Sequence, residues 1–129
     1  MRVITILVFV LLLFQLFYFD AYAKRAAPSK VKSVTHNSIE YRAPLKRSAV
    51  GVVEAWDKTS NRLIFKRQIY VVKYNSIETD VQDVFIKSLV IEDGKLVISN
   101  ERKSKYSLDL KSLEIKVIKG NLVEAFKGK

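Results

Sequence analysis

Few side chains in this sequence can do chemistry. His36 is the only histidine and there is no cysteine, so a multi-histidine metal site, a thiolate metal site, a cysteine nucleophile and a disulfide framework are all excluded by inventory. A Ser-His-Asp triad would have to use His36, which lies in a polar, basic stretch. A phosphate-cradling glycine loop is also missing, because the four glycines are Gly51, Gly94, Gly120 and Gly128. The chain reads as non-enzymatic, and it calls for no cofactor and no metal.

What remains is charge. The 129 residues hold 23 Lys and Arg against 13 Asp and Glu, a formal net charge of +10. The basic residues come in sets: Lys24, Arg25, Lys30 and Lys32; Arg42, Lys46 and Arg47; Lys66 and Arg67; Arg102, Lys103 and Lys105. The last set stands at a predicted hairpin tip, where binding loops are placed. Arg102, Lys103 and Lys105 are therefore the candidate partner-binding residues, suited to an acidic protein, an anionic envelope polymer or lipid headgroups. The plainer reading is that these lysines keep loops and sheet edges soluble. Residues 74–86 contain no Lys or Arg but hold Glu78, Asp80 and Asp83. They lack the alternating ligands and the glycine of a calcium loop, so they read as a solvated acidic loop that meets a basic face of the same molecule.

The elements that position these groups begin after residue 23. Residues 3–19 form an apolar run broken only by Thr5 and Gln15, preceded by Arg2 and followed by Ala21-Tyr22-Ala23. A charged start, an apolar middle and a small-x-small end make a secretory signal peptide over residues 1–23. The alternative is a membrane anchor in which residues 3–19 stay uncleaved. Both send the rest of the chain out of the cytoplasm, to a secreted or periplasmic location, and the 106 residues that follow keep the +10 charge. Residues 24–38 are basic, contain Pro28 and show no apolar period, which predicts a flexible arm.

From residue 39 to 129 the apolar residues are mostly β-branched or aromatic and come in runs of strand length. Strands are expected at 39–43, 50–56, 63–74, 85–91, 96–99, 105–108 and 115–118. Asp93-Gly94, between two alternating runs, is the strongest hairpin signal. Arg67 interrupts the apolar face of 63–74, which requires either a bulge or an edge position. The best helical candidate is the short tail at residues 122–126, and the acidic loop at 74–86 has room for one helical turn. The fold class is all-β.

Two segments 52 residues apart can be superposed: Ala55-Trp56-Asp57-Lys58-Thr59-Ser60-Asn61-Arg62-Leu63-Ile64-Phe65 and Ser107-Leu108-Asp109-Leu110-Lys111-Ser112-Leu113-Glu114-Ile115-Lys116-Val117. Each carries a small residue, an apolar residue and Asp, with Ser three positions later. Asp at a turn start accepts hydrogen bonds from N–H groups two or three residues on, so Asp57 and Asp109 are read as structural turn residues. Trp56, Phe65 and Tyr70 read as sheet-face packing residues.

These segments resemble the quinoprotein-type (pyrroloquinoline-quinone-like) β-propeller repeat, whose final stretch reads A-L-D-x-x-T-G-K-x-x-W. Ala55, Asp57, Ser60, Arg62 and Phe65 fall on its Ala, Asp, Thr, Lys and Trp. Gly94-Lys95-Leu96-Val97-Ile98-Ser99-Asn100 resembles its opening strand. The family glycine is replaced by Asn61 in one copy and Leu113 in the other. Asn tolerates a left-handed backbone and Leu does not, so the second turn is expected to be built differently.

The resemblance implies two four-stranded blade-like antiparallel units. Two blades cannot close a ring, so the expected architecture is a small sandwich or a partly open barrel, with a homo-oligomeric ring as the second choice. Quinone enzymes of this family hold their cofactor inside a complete ring, so the resemblance does not carry that activity over. It implies instead a non-catalytic binding or scaffolding module for a protein or anionic component of the envelope or extracellular space. The alternative is an electrostatic binder of anionic polymers or lipid headgroups. Nucleic acid is disfavoured by the export signal and by the lack of an aromatic-plus-basic RNA-binding pattern.

Overall fold

Alternation of buried and exposed residues along short β-rich runs builds two sheets of the same design. The computed structural model describes residues 27–76 and 82–125. The first sheet contains β1 (Val34–His36), β2 (Ile39–Arg42), β3 (Val52–Asp57) and β4 (Leu63–Gln68), hydrogen-bonded in that order. The second contains β6 (Ile86–Glu92), β7 (Lys95–Asn100), β8 (Lys105–Asp109) and β9 (Ile115–Lys119), also in chain order. Every neighbour in both sheets is antiparallel. A short pair, β5 (Val71–Lys73) with β10 (Val123–Ala125), is parallel.

The inward faces follow the period of two that a pleated strand imposes. Val53 and Ala55 of β3, with Tyr41 of β2, meet Leu96 and Ile98 of β7, Tyr106 and Leu108 of β8 and Leu89 of β6 in one buried cluster. Burying each of its Val, Leu and Ile side chains is worth about 1.5–3 kcal/mol. The two sheets share this core without closing into a barrel, as in a small β-sandwich.

Turn chemistry explains the meanders. Asp93-Gly94 joins β6 to β7 with φ of 49° and 71°, and Asn37-Ser38 joins β1 to β2 with φ of 49° and 62°. Both are two-residue turns with positive φ at each centre, which matches strand twist. The sequence signal is plain only in the Asp-Gly pair, and so the sequence does not announce β1. Residues 34–36, assigned from sequence to the flexible arm, are a strand, and Val31 is buried in the core. The arm lacks an apolar period because it is too short to display one.

The turns after β3 and β8 are copies of one another. Asp57 Oδ1 accepts from the N–H groups of Thr59 (2.8 Å) and Ser60 (3.0 Å), and Asp109 Oδ1 from those of Lys111 (2.8 Å) and Ser112 (2.9 Å). The Asp57 N–H donates to the Arg62 carbonyl and the Asp109 N–H to the Glu114 carbonyl. Asn61 has φ 54° and Leu113 φ 59°. The second turn is thus not built differently. Leu113 takes the left-handed conformation at a cost of about 1–2 kcal/mol, while its half-buried side chain packs against the core.

Other expectations are revised. The single strand foreseen over 63–74 breaks at Ile69 and Tyr70, both buried, into β4 and β5. Arg67 lies on the edge strand β4 opposite Val53, and the register shift falls instead between Ala55 and Trp56. Residues 123–125 are a strand, not a helical turn. Trp56 faces away from the shared core, opposite Glu40. The signal-peptide reading of 1–23 lies outside the described residues.

Candidate functional site

The β7–β8 turn, where the sequence places Arg102, Lys103 and Lys105, is braced by its own first residue. Asn100 Oδ1 accepts from the N–H groups of Arg102 (3.0 Å) and Ser104 (3.1 Å), while the Lys103 N–H donates to the Asn100 carbonyl at 3.0 Å. Lys103 takes a left-handed φ of 64° and is exposed. Lys105 is also exposed and opens β8 directly opposite Lys119 of β9. Like charges facing one another across a ladder are destabilising. Arg102 turns elsewhere. Its guanidinium donates to the Ala125 carbonyl and lies 3.7 Å from Glu124 Oε2. The turn therefore brings together Lys103, Lys105 and Lys119 as the outward cations, and commits Arg102 to its own chain.

Glu124 is the residue that sequence reasoning missed. It is only 4 % exposed, and its Oε1 accepts from Asn100 Nδ2 (3.0 Å) and Ser104 Oγ, with the Tyr106 hydroxyl at 3.2 Å. Burial alone would push its carboxyl up. The hydrogen bonds from Ser104, Asn100 and Tyr106, with the Arg102 charge, outweigh that and hold it below the usual carboxylate value. Burial pushes the Tyr106 hydroxyl up to about 12. An open pocket of about 460 Å³ lies beside this network, lined by Arg102, Ser104, Asn121 and Glu124 among others. Nothing in a tail reading Leu-Val-Glu-Ala marks its glutamate as buried; the one available signal is that the position 52 residues earlier is the apolar Val72, with which Glu124 pairs in the fold.

Tyr70 and Tyr106 couple the two repeats, with ring centroids 5.2 Å apart and planes inclined by 14°. The Tyr70 hydroxyl donates to the Val84 carbonyl at 2.5 Å, and burial drives its ionisation far up. Asp83, foreseen in a solvated loop, is instead buried. Its carboxylate accepts from Arg47 Nε (3.0 Å) and the Tyr74 hydroxyl (2.6 Å). Glu78 and Asp80 lie outside the described residues. His36 is half-buried on β1, with Asn37 Nδ2 3.3 Å from its ring. Among the described residues no three acidic or histidine side chains gather as a metal site, and no helix is long and apolar enough to cross a membrane.

No protein-family model matches the chain, and no curated protein does. The fold is similar to that of BamB from Moraxella catarrhalis, known from its crystal structure, at 15 % sequence identity and a TM-score of 0.55. The match covers 80 % of this chain and 32 % of that one, so the chain spans about a third of the structure it resembles. BamB is a β-propeller of quinoprotein-like repeats. The likeness concerns the fold, and it supports reading the two meanders as propeller-like blades.

Proposed function

We propose that this chain is an exported, non-catalytic binding module of the cell envelope or extracellular space, and that it holds an acidic face of a partner protein at the β7–β8 end of its second repeat. The observation that carries the proposal is the facing pair Lys105 and Lys119 beside the braced, exposed Lys103. A sheet that sets two ammonium groups opposite one another gives up stability. An acidic surface docking there relieves the repulsion. The turn is already rigid, so little ordering entropy is spent on contact. Export belongs to the proposal and is supported by the charged, apolar and Ala-x-Ala parts of residues 1–23. The likeness to BamB supports a propeller-like scaffold and is used no further.

The test is affinity capture from an envelope extract with the full chain and with Lys103→Glu/Lys105→Glu. The reading expects a protein partner recovered by the first and lost with the second while the circular dichroism spectrum stays unchanged. A second reading, attraction to anionic polymers or lipid headgroups, draws on the +10 charge. It expects binding to polyphosphate or to anionic vesicles that collapses as salt rises.

A further inference from the structure

The face of the first sheet turned away from the core carries Glu40, Arg42, Glu54 and Trp56, which alternate with the buried Tyr41 and Ala55. Both carboxylates on it are satisfied by the chain itself. Glu40 accepts from Arg42 (2.6 Å) and Ser33 (2.7 Å), and Glu54 accepts from Trp56 Nε1 (2.9 Å) and pairs with Lys66 (3.4 Å). The Arg42 guanidinium lies 4.9 Å from the centre of the Trp56 ring. Beside this ladder opens a groove of about 820 Å³, whose lining includes the apolar Ala43, Pro44 and Leu45 and the basic Lys30 and Lys32. Lys30 and Lys32 are exposed and make no ion pair among the described residues.

We propose that this groove is a second binding site, separate from the β7–β8 turn, which takes an acidic peptide segment of a partner protein. One large apolar side chain of the segment packs on Pro44 and Leu45, and flanking carboxylates meet Lys30 and Lys32. Charge complementarity selects the occupant. The acids of the groove are already neutralised, so the charges left to answer are two ammonium groups next to an apolar wall. The volume lies within the range of about 300–1,000 Å³ that binding clefts take. Trp56 touches two residues that line the groove, Arg42 and Glu54, and so reports on it.

Trp56 is the only tryptophan, which makes its fluorescence a specific probe. The full chain is titrated with an acetylated peptide Asp-Glu-Leu-Phe-Asp-Glu, with the basic counterpart Lys-Lys-Leu-Phe-Lys-Lys, and with phosphatidylglycerol vesicles. The expected result is a saturable change with the acidic peptide alone. Lys30→Glu/Lys32→Glu weakens it by about tenfold or more, and Leu45→Gln weakens it at unchanged charge, both with unaltered circular dichroism. Equal binding by the variants, equal binding of the basic peptide, or a response to vesicles only would overturn the proposal. These variants leave Lys103 and Lys105 intact, so the outcome is independent of capture through the β7–β8 turn.

Discussion

Tyr70 and Tyr106 stack with ring centroids 5.2 Å apart, and this contact locks the end of the first repeat onto the second sheet. The Tyr106 hydroxyl continues the connection to the Asn121 carbonyl and to Glu124. Since β5 and β10 also pair the two repeats, the two sheets are expected to unfold as one unit. Tyr106→Phe keeps the stack but removes the hydroxyl, at a cost of about 1–2 kcal/mol. Tyr106→Ala loses ring and packing together, at about 3–5 kcal/mol. Urea unfolding followed by circular dichroism measures both, and a phenylalanine variant as unstable as the alanine variant would contradict the partition.

Acid stability should be governed in good part by Glu124. Its folded carboxyl sits below the ordinary value of 4.5, so it contributes stability that is fully present above that value. The contribution is lost as pH falls through the depressed folded value. Asp57 and Asp109, held low by the backbone N–H groups of their turns, act in the same direction. Glu124→Gln is expected to be less stable at neutral pH and to show a shallower loss between about pH 5 and pH 3. Unfolding midpoints measured across that range check this, and parallel profiles for the two proteins would refute it.

The repeated turn predicts an asymmetry between its two copies. Asn61 is exposed at φ 54°, so Asn61→Gly should change stability by less than about 0.5 kcal/mol, whereas Asn61→Val should cost about 1–2 kcal/mol. At Leu113 relief of strain competes with lost packing, so Leu113→Gly is expected to be more destabilising than Asn61→Gly. Thermal melts of the three variants decide the order.

Gly51 stands 52 residues before Lys103 and shares its left-handed backbone, with φ 72° against 64°. A Cβ at Gly51 would run into the Tyr70 carbonyl oxygen. Gly51→Ala is therefore expected to destabilise by more than about 1 kcal/mol, while Lys103→Gly is neutral or stabilising. Equal effects in the two melts would show that the turns differ.

Much of this architecture is written in local chemistry. The alternation in Leu96 and Ile98, the Asp93-Gly94 turn and the 52-residue offset between Asp57 and Asp109 each follow from a few neighbouring residues. What escaped is long-range or disguised. β5 and β10 have three residues each and gain a strand's hydrogen bonds only by meeting one another, with Val71 opposite Val123 at the same offset of 52. Asn37-Ser38 makes the same turn as Asp93-Gly94 without its glycine. The inward turn of Arg102 depends on Glu124, 22 residues away, which no pattern around the β7–β8 turn could announce. The exposure of Lys103 and Lys105 was legible; their company with Lys119 needed the register of β8 on β9.

The most direct test of the binding-module account is cross-linking mass spectrometry on envelope proteins captured by the full chain at physiological salt, repeated with Lys103→Glu/Lys105→Glu. An acidic protein partner is expected, with cross-links that cluster on Lys103, Lys105 and Lys119 and vanish in the variant. Recovery of no partner, or cross-links spread evenly over the lysines and unchanged in the variant, would contradict it.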